Sequence, residues 1–123
     1  MLVKGYKYDL RVYVAVIGGL GDDDMHAFVC DEGLARFCTK KYQAPTKENF
    51  KDEFMHLTNY SINKASENYV WEPEDIMSPN EGSKRTLTAL FKQFENEGID
   101  VDQIKESINY SCQGIMQMFG NLI

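Results

Sequence analysis

Lys7, Asp9 and Arg11 stand at alternate positions in the run Lys7 to Ile17, with Tyr13 next in the series, while Leu10, Val12, Val14 and Val16 fill positions between them. A strand repeats every two residues, so this spacing predicts cation, anion and cation in a row, roughly 7 Å apart, with an apolar core surface behind them. Charges on a half-buried strand cost free energy unless something meets them. Such a row suits a polyphosphate and its metal, with lysine and arginine on phosphate oxygens and the carboxylate available to a metal or a hydroxyl. A face of solvated charges is the plainer alternative, and the row alone leaves both open. Arg36 is the only charge in Gly33 to Cys38, which points to an anionic partner. His56, Thr58 and Asn59 close another short apolar run; a hydroxyl and an amide there can hold a ribose, a phosphate or a metal-bound water without adding charge. Together these groups fit nucleotide-dependent ligation, in which cations stabilise a transferring phosphoryl group and an arginine holds a substrate carboxylate.

The elements that must position them follow from periodicity. Lys7 to Ile17 reads as one strand, Gly18 to Asp24 as a solvated hairpin tip, and Met25 to Cys30 as the returning strand. Gly33 to Cys38 is ambiguous between a strand and a helical turn, and Phe54 to Tyr60 reads as a brief strand that would place His56 and Thr58 on one face. Residues 64–83 form a long loop with Tyr69, Val70, Trp71, Ile76 and Met77 as its few core formers. Two amphipathic helices follow. Leu87, Leu90, Phe91 and Phe94 mark the first, from Lys84 to Glu97, with Gly98 as its stop. Asp100 caps the second, whose stripe is Val101, Ile104, Ile108, Cys112, Ile115 and Phe119. This order predicts an α+β segment of antiparallel strands with two C-terminal helices.

The chain has 123 residues, 43% of them hydrophobic, enough for one modest core. All of its net charge of −6 lies beyond residue 64, which argues against nucleic acid as a partner. No apolar run is long enough to predict a membrane-spanning helix or a secretory leader. Cys30, Cys38 and Cys112 contain no CxxC and read as reduced thiols of a cytoplasmic protein. Asp22, Asp23 and Asp24 lack calcium-loop spacing, and His26 and His56 read as hydrogen-bonded structural histidines, not zinc ligands. Nucleophile elbows and glycine-rich phosphate loops are absent from the sequence.

Four blocks carry a more specific signal: Lys7-Tyr8-Asp9-Leu10-Arg11-Val12-Tyr13-Val14, Glu32-Gly33-Leu34-Ala35-Arg36-Phe37, Met55-His56-Leu57-Thr58-Asn59-Tyr60-Ser61-Ile62-Asn63-Lys64 and Gly82-Ser83-Lys84-Arg85. In this order and separation they resemble the tubulin tyrosine ligase-like family, and the resemblance covers nearly the whole chain. It implies an ATP-grasp fold and a ligase that joins an amino acid to a protein carboxylate, usually on a tubulin tail, through an acyl phosphate made with ATP and magnesium. By the same resemblance, Lys7, Asp9, His56, Leu57, Thr58 and Asn59 would bind ATP. Arg11 and Arg36 would be catalytic, stabilising phosphate or a substrate carboxylate. With Lys64, Lys84 and Arg85 they would meet the substrate. The wording of Asn59 to Lys64 and Gly82 to Arg85 is similar to the glutamate-adding branch, which implies glutamate as donor, tubulin or another acidic tail as acceptor, and a place on the cytoskeleton, cilium or basal body.

By the resemblance, strands that clamp adenine and supply a further ATP-binding lysine are expected ahead of this segment, and the chain also departs from the pattern in its metal ligands. It contains no Glu-x-Asn pair of the kind that holds magnesium in the family. The expectation is therefore that residues 1–123 are a single-domain fragment, the central part of an ATP-grasp catalytic domain incomplete at both ends. Magnesium ligands are expected outside it, and the isolated chain is expected to be inactive. Uncovered sheet edges would favour self-association of such a piece. The competing expectation is a non-catalytic relative that binds tubulin or nucleotide.

Overall fold

The computed structural model describes residues 2–18, 26–71 and 82–120. The expected hairpin tip at Asp22 to Asp24, Ile76 and Met77 of the long loop, and the side chain of Phe119 lie outside the described residues.

The long amino-terminal run does not form one strand. It splits at Val12 and Tyr13 into β1 (Tyr6–Arg11) and β2 (Val14–Ile17), which belong to different sheets. β2 pairs antiparallel with β3 (His26–Val29), whereas β1 pairs antiparallel with β4 (Leu34–Lys41). The ambiguous segment is thus the middle strand of a three-stranded sheet, closed on its other side by β5 (Lys84–Thr86). Alternation behaves as expected along β1 alone. Tyr8 and Leu10 pack on the core, and Tyr8 stacks on Phe37 with 5.5 Å between ring centres. Beyond the break the expected core face fails, because Val14 and Val16 of the two-stranded ribbon are exposed. A two-stranded ribbon has no second layer of its own to bury its apolar side chains.

Two further expectations are corrected. Phe54 to Tyr60 is no strand. It holds a helical turn, α1 (Glu53–His56), then extended Leu57, then a second turn, α2 (Tyr60–Asn63). Its backbone is satisfied locally, with Met55 and His56 N–H donating to the Asp52 carbonyl, so no strand ladder is needed. The first long helix, α3 (Leu87–Asn96), starts three residues later than its apolar spacing suggested. Thr86 is the cause: its hydroxyl accepts from Ala89 N at 3.1 Å and caps the helix, leaving Lys84 to Thr86 for the sheet.

Asp100 caps α4 (Val101–Gly120) as its sequence indicates, accepting from Gln103 N at 3.0 Å. The core lies between one face of the sheet, contributing Ala35 and Phe37, and Leu87, Leu90, Phe91, Phe94 and Val101 of the helices. Ile104 and Ile108 border it, but Ile115 is exposed. At 1.5 Å per residue α4 outruns both the 10-residue α3 and the sheet, so its apolar stripe extends past the core. Among the described residues no helix is long and apolar enough to cross a membrane.

Glu32 fastens the start of β4 to the start of α3. One of its carboxylate oxygens accepts from Gly33 N and Leu87 N, both at 2.9 Å, and from Thr88 N at 3.3 Å. Burial raises the Glu32 pKa, but these hydrogen bonds outweigh it and hold the carboxyl below its ordinary 4.5. A carboxylate whose pKa is lowered by folding stabilises the fold above its unfolded pKa and loses that contribution as pH falls through the folded value. Glu32→Gln is therefore expected to destabilise the chain at neutral pH. The gap to wild type should narrow below pH 4.5 in urea midpoints measured across pH, and a constant gap would refute the assignment.

Candidate functional site

The sheet face turned away from α3 and α4 is polar because the ladder places like positions opposite one another. Asp9 opposes Arg36 and Arg36 opposes Lys84, so three charged side chains run across three strands on one face. Lys7 and Arg11 flank Asp9 along β1, and Cys38 follows Arg36 along β4. Asp9 and Arg36 form a two-pronged ion pair. Arg36 Nε donates to one Asp9 oxygen at 2.9 Å, and its terminal nitrogen donates to the other. This bond is the main cause holding the Arg36 pKa above its ordinary value, against the effect of burial.

The α1–α2 segment borders this face and is tied to it through its carbonyls. Lys7 Nζ donates to the His56 carbonyl at 2.7 Å, and Cys38 Sγ to the Leu57 carbonyl at 3.3 Å. Burial pushes the Cys38 thiol up to about 11, so it stays protonated and serves as that donor. The His56 ring lies elsewhere, with Nε2 3.1 Å from the Asn49 carbonyl and its plane edge-on to Tyr42. The side chains of Leu57 and Asn59 are exposed and that of Thr58 is half-buried.

Lys84 and Lys64 both reach Tyr60, with Nζ 5.4 and 5.6 Å from its ring centre. Arg85 does not join them. It is 7% exposed and turned to the helix side, its guanidinium 4.3 Å from the Phe37 ring centre, donating to the Gly82 carbonyl and to Gln93 Oε1. Alternation decides this: in β5, Lys84 faces the charged side and Arg85 the core.

The chemistry of the face can be read from its donors. Lys7, Arg11, Arg36 and Lys84 are four cations beside one carboxylate, a set that fits phosphate oxygens and a substrate carboxylate. It does not fit a divalent cation, since both Asp9 oxygens are held by Arg36. Among the described residues no group of three or more His, Cys, Asp or Glu could hold a metal.

The family model described as the tubulin-tyrosine ligase family matches residues 1–119. The chain belongs to this family. Zebrafish (Danio rerio) tubulin polyglutamylase ttll6 is 45% identical over 103 residues, which is 84% of this chain and 12% of that protein. Tubulin polyglutamylase ttll-11 of Caenorhabditis elegans is 42% identical over 102 residues, 83% of this chain and 14% of that protein. Human tubulin polyglutamylase TTLL6 is 41% identical over 107 residues, 87% of this chain and 11% of that protein. The likeness to the glutamate-adding branch agrees with these names. The chain spans 11% to 14% of the length of these three relatives.

One organising residue of this tubulin-tyrosine ligase family segment escaped the reading of side chains as chemistry. Asn63, 1% exposed, accepts from Thr39 N and Thr39 Oγ1, both at 3.0 Å, and donates to the carbonyls of Leu57 at 2.7 Å and Asn59 at 3.1 Å. It therefore locks both ends of the Leu57–Asn59 stretch onto β4. A polar residue inside a run of candidate ligand groups was the available signal, and only burial separates its role from theirs.

Proposed function

We propose that this chain is part of an ATP-grasp ligase that adds glutamate to carboxylates on protein tails, with tubulin tails as the acceptor and the microtubule cytoskeleton as the place of action. The observation that carries this reading is the single charged sheet face on which Lys7, Asp9, Arg11, Arg36 and Lys84 are collected, bordered by Thr58 and Asn59. Lys7, Arg11 and Lys84 neutralise phosphate oxygens, and Arg36, whose Nε and one terminal nitrogen are bound by Asp9, offers its remaining terminal N–H groups to a substrate carboxylate. Thr58 and Asn59 supply neutral hydrogen bonds for the nucleotide. ATP supplies the phosphoryl group that activates an acceptor carboxylate for attack by an amine. Magnesium, where bound, would draw its ligands from residues other than those of this face, which carries the single carboxylate of Asp9. The 123 residues alone are accordingly expected not to ligate, and ATP-dependent glutamate incorporation by this polypeptide without added protein would overturn that expectation.

The role of the face is tested in a polypeptide that contains this segment and ligates glutamate. Lys7→Ala and Arg11→Ala are each expected to weaken ATP binding by about tenfold, a loss of ~1.4 kcal/mol. Unchanged nucleotide affinity in both would mean that the charges face solvent.

A further inference from the structure

Two lysines tie the α1 turn to the sheet, and they do so differently. At its amino-terminal end Lys40 Nζ meets the Asp52 carboxylate at 2.7 Å, so the two charges cancel. At its carboxyl-terminal end Lys7 Nζ donates to the His56 carbonyl, also at 2.7 Å. A carbonyl at the end of a helical turn has no partner within the turn and attracts a cation, but it leaves the full charge of that cation in place. Among the described residues Lys7 is in no ion pair, and the carboxylate two residues along its strand, that of Asp9, is taken up by Arg36.

An ammonium carries three N–H groups. One faces His56, which leaves two, and an uncancelled charge, for an anion on the sheet face that Lys7 shares with Arg11. The peptide plane that carries the His56 carbonyl also carries the Leu57 N–H, so Lys7 grips the first residue of the Leu57–Asn59 stretch. Leu57 N–H in turn donates to the Glu53 carbonyl at 2.9 Å and closes α1. An anion held by the other two N–H groups removes much of the freedom of a four-carbon side chain. The bond to His56 is then broken less often.

We infer that Lys7 is a coupling strut: a polyphosphate that binds its ammonium at the same time stiffens α1 and the Leu57–Asn59 stretch at the border of that face. That the polyphosphate is the phosphate chain of ATP rests on the ligase reading. In that case the phosphates help to place Thr58 and Asn59, the groups proposed to meet the rest of the nucleotide. The coupling itself needs only an anion on Lys7.

Amide hydrogen exchange, followed by NMR in the 123-residue chain, tests the strut at His56 and Leu57, whose N–H groups bond to the carbonyls of Asp52 and Glu53. Lys7→Met is expected to speed both amides about tenfold in the absence of any ligand. The β1–β4 ladder amides should keep their wild-type rates, since the Lys7 side chain is exposed and backbone groups make the ladder. At constant ionic strength, saturating inorganic tripolyphosphate is expected to slow His56 and Leu57 at least about threefold in wild type. It should leave them unchanged in Lys7→Met, where it binds more weakly through the remaining cations. Wild-type rates in Lys7→Met without ligand, or slowing of the same size in both proteins, would overturn the inference. Faster exchange in wild type would do the same, for the ammonium would then leave His56 to meet the anion. Tripolyphosphate binding without slowing defeats the coupling alone and leaves the phosphate-binding face standing. Absence of binding defeats the phosphate reading of the face, and the coupling with it.

Discussion

Gly33→Ala is expected to destabilise the fold by roughly 3 kcal/mol or more, seen as a lower urea midpoint at unchanged slope. An added Cβ would stand 2.3 Å from the Arg11 carbonyl oxygen and 2.8 Å from Leu87 Cδ1. Neither neighbour can give way cheaply. Arg11 is held in the ladder opposite Leu34, and Leu87 is 2% exposed at the first position of α3. Relief therefore requires β1 or α3 to shift, and a shift of β1 moves Asp9 against Arg36. The backbone NMR shifts of Asp9 and Arg36 should consequently change with the stability. Gly114→Ala supplies the contrast. It adds a methyl group on α4 where nothing lies within 4 Å, and is expected to stabilise the chain by up to about 1 kcal/mol. Equal midpoints for the two variants would show that β1, β4 and α3 are not packed as tightly as these distances require.

The same junction shows what a sequence can disclose. The alternation of Lys7, Asp9 and Arg11 correctly placed one charged face, because a strand paired on one side and packed behind leaves little freedom in which way each side chain points. It could not disclose that the chain changes partner at Val12, since Val14 and Val16 continue the same alternation in an exposed ribbon. The helices were legible where a cap is written in the chain, at Asp100. They were misread where a hydroxyl cap lies inside the apolar pattern, at Thr86. Arg36 was recognised as needing an anion, but the anion found in the structure is Asp9, 27 residues away, which only the β1–β4 register supplies. Arg85 shows the limit from the other direction. Next to Lys84 in sequence, it points to the opposite face of β5, and no composition argument separates two adjacent cations until a strand is assigned.

Asn63 is where a single substitution should disturb the candidate site most directly. In Asn63→Ala the buried Thr39 N–H loses its partner, the Leu57 carbonyl is left with the Cys38 thiol, and the Asn59 carbonyl keeps only the backbone N–H groups of Ile62 and Asn63. At about 1–3 kcal/mol for a buried group left unsatisfied, as the Thr39 amide is, and with the Leu57 carbonyl left to a weak thiol donor, the expected cost is roughly 3 kcal/mol. Hydrogen exchange of the Thr39 amide should speed up in parallel, whereas an unchanged rate would mean that Asn63 does not hold this amide. Asn63→Asp separates the two halves of the side chain. One carboxylate oxygen can still accept from Thr39, but the other must face the Leu57 and Asn59 carbonyls where an N–H donor stood. Burial and this repulsion raise the folded-state pKa of the new carboxyl above its unfolded value. A group of that kind favours the fold when protonated and penalises it once pH rises through the folded pKa. The Asn63→Asp variant should thus be closer to wild type at pH 5 than at pH 8, because here the carboxylate, unlike that of Glu32, penalises the fold. A gap to wild type that does not widen with pH would mean that Asn63 is not the clasp between β4 and the Leu57–Asn59 stretch.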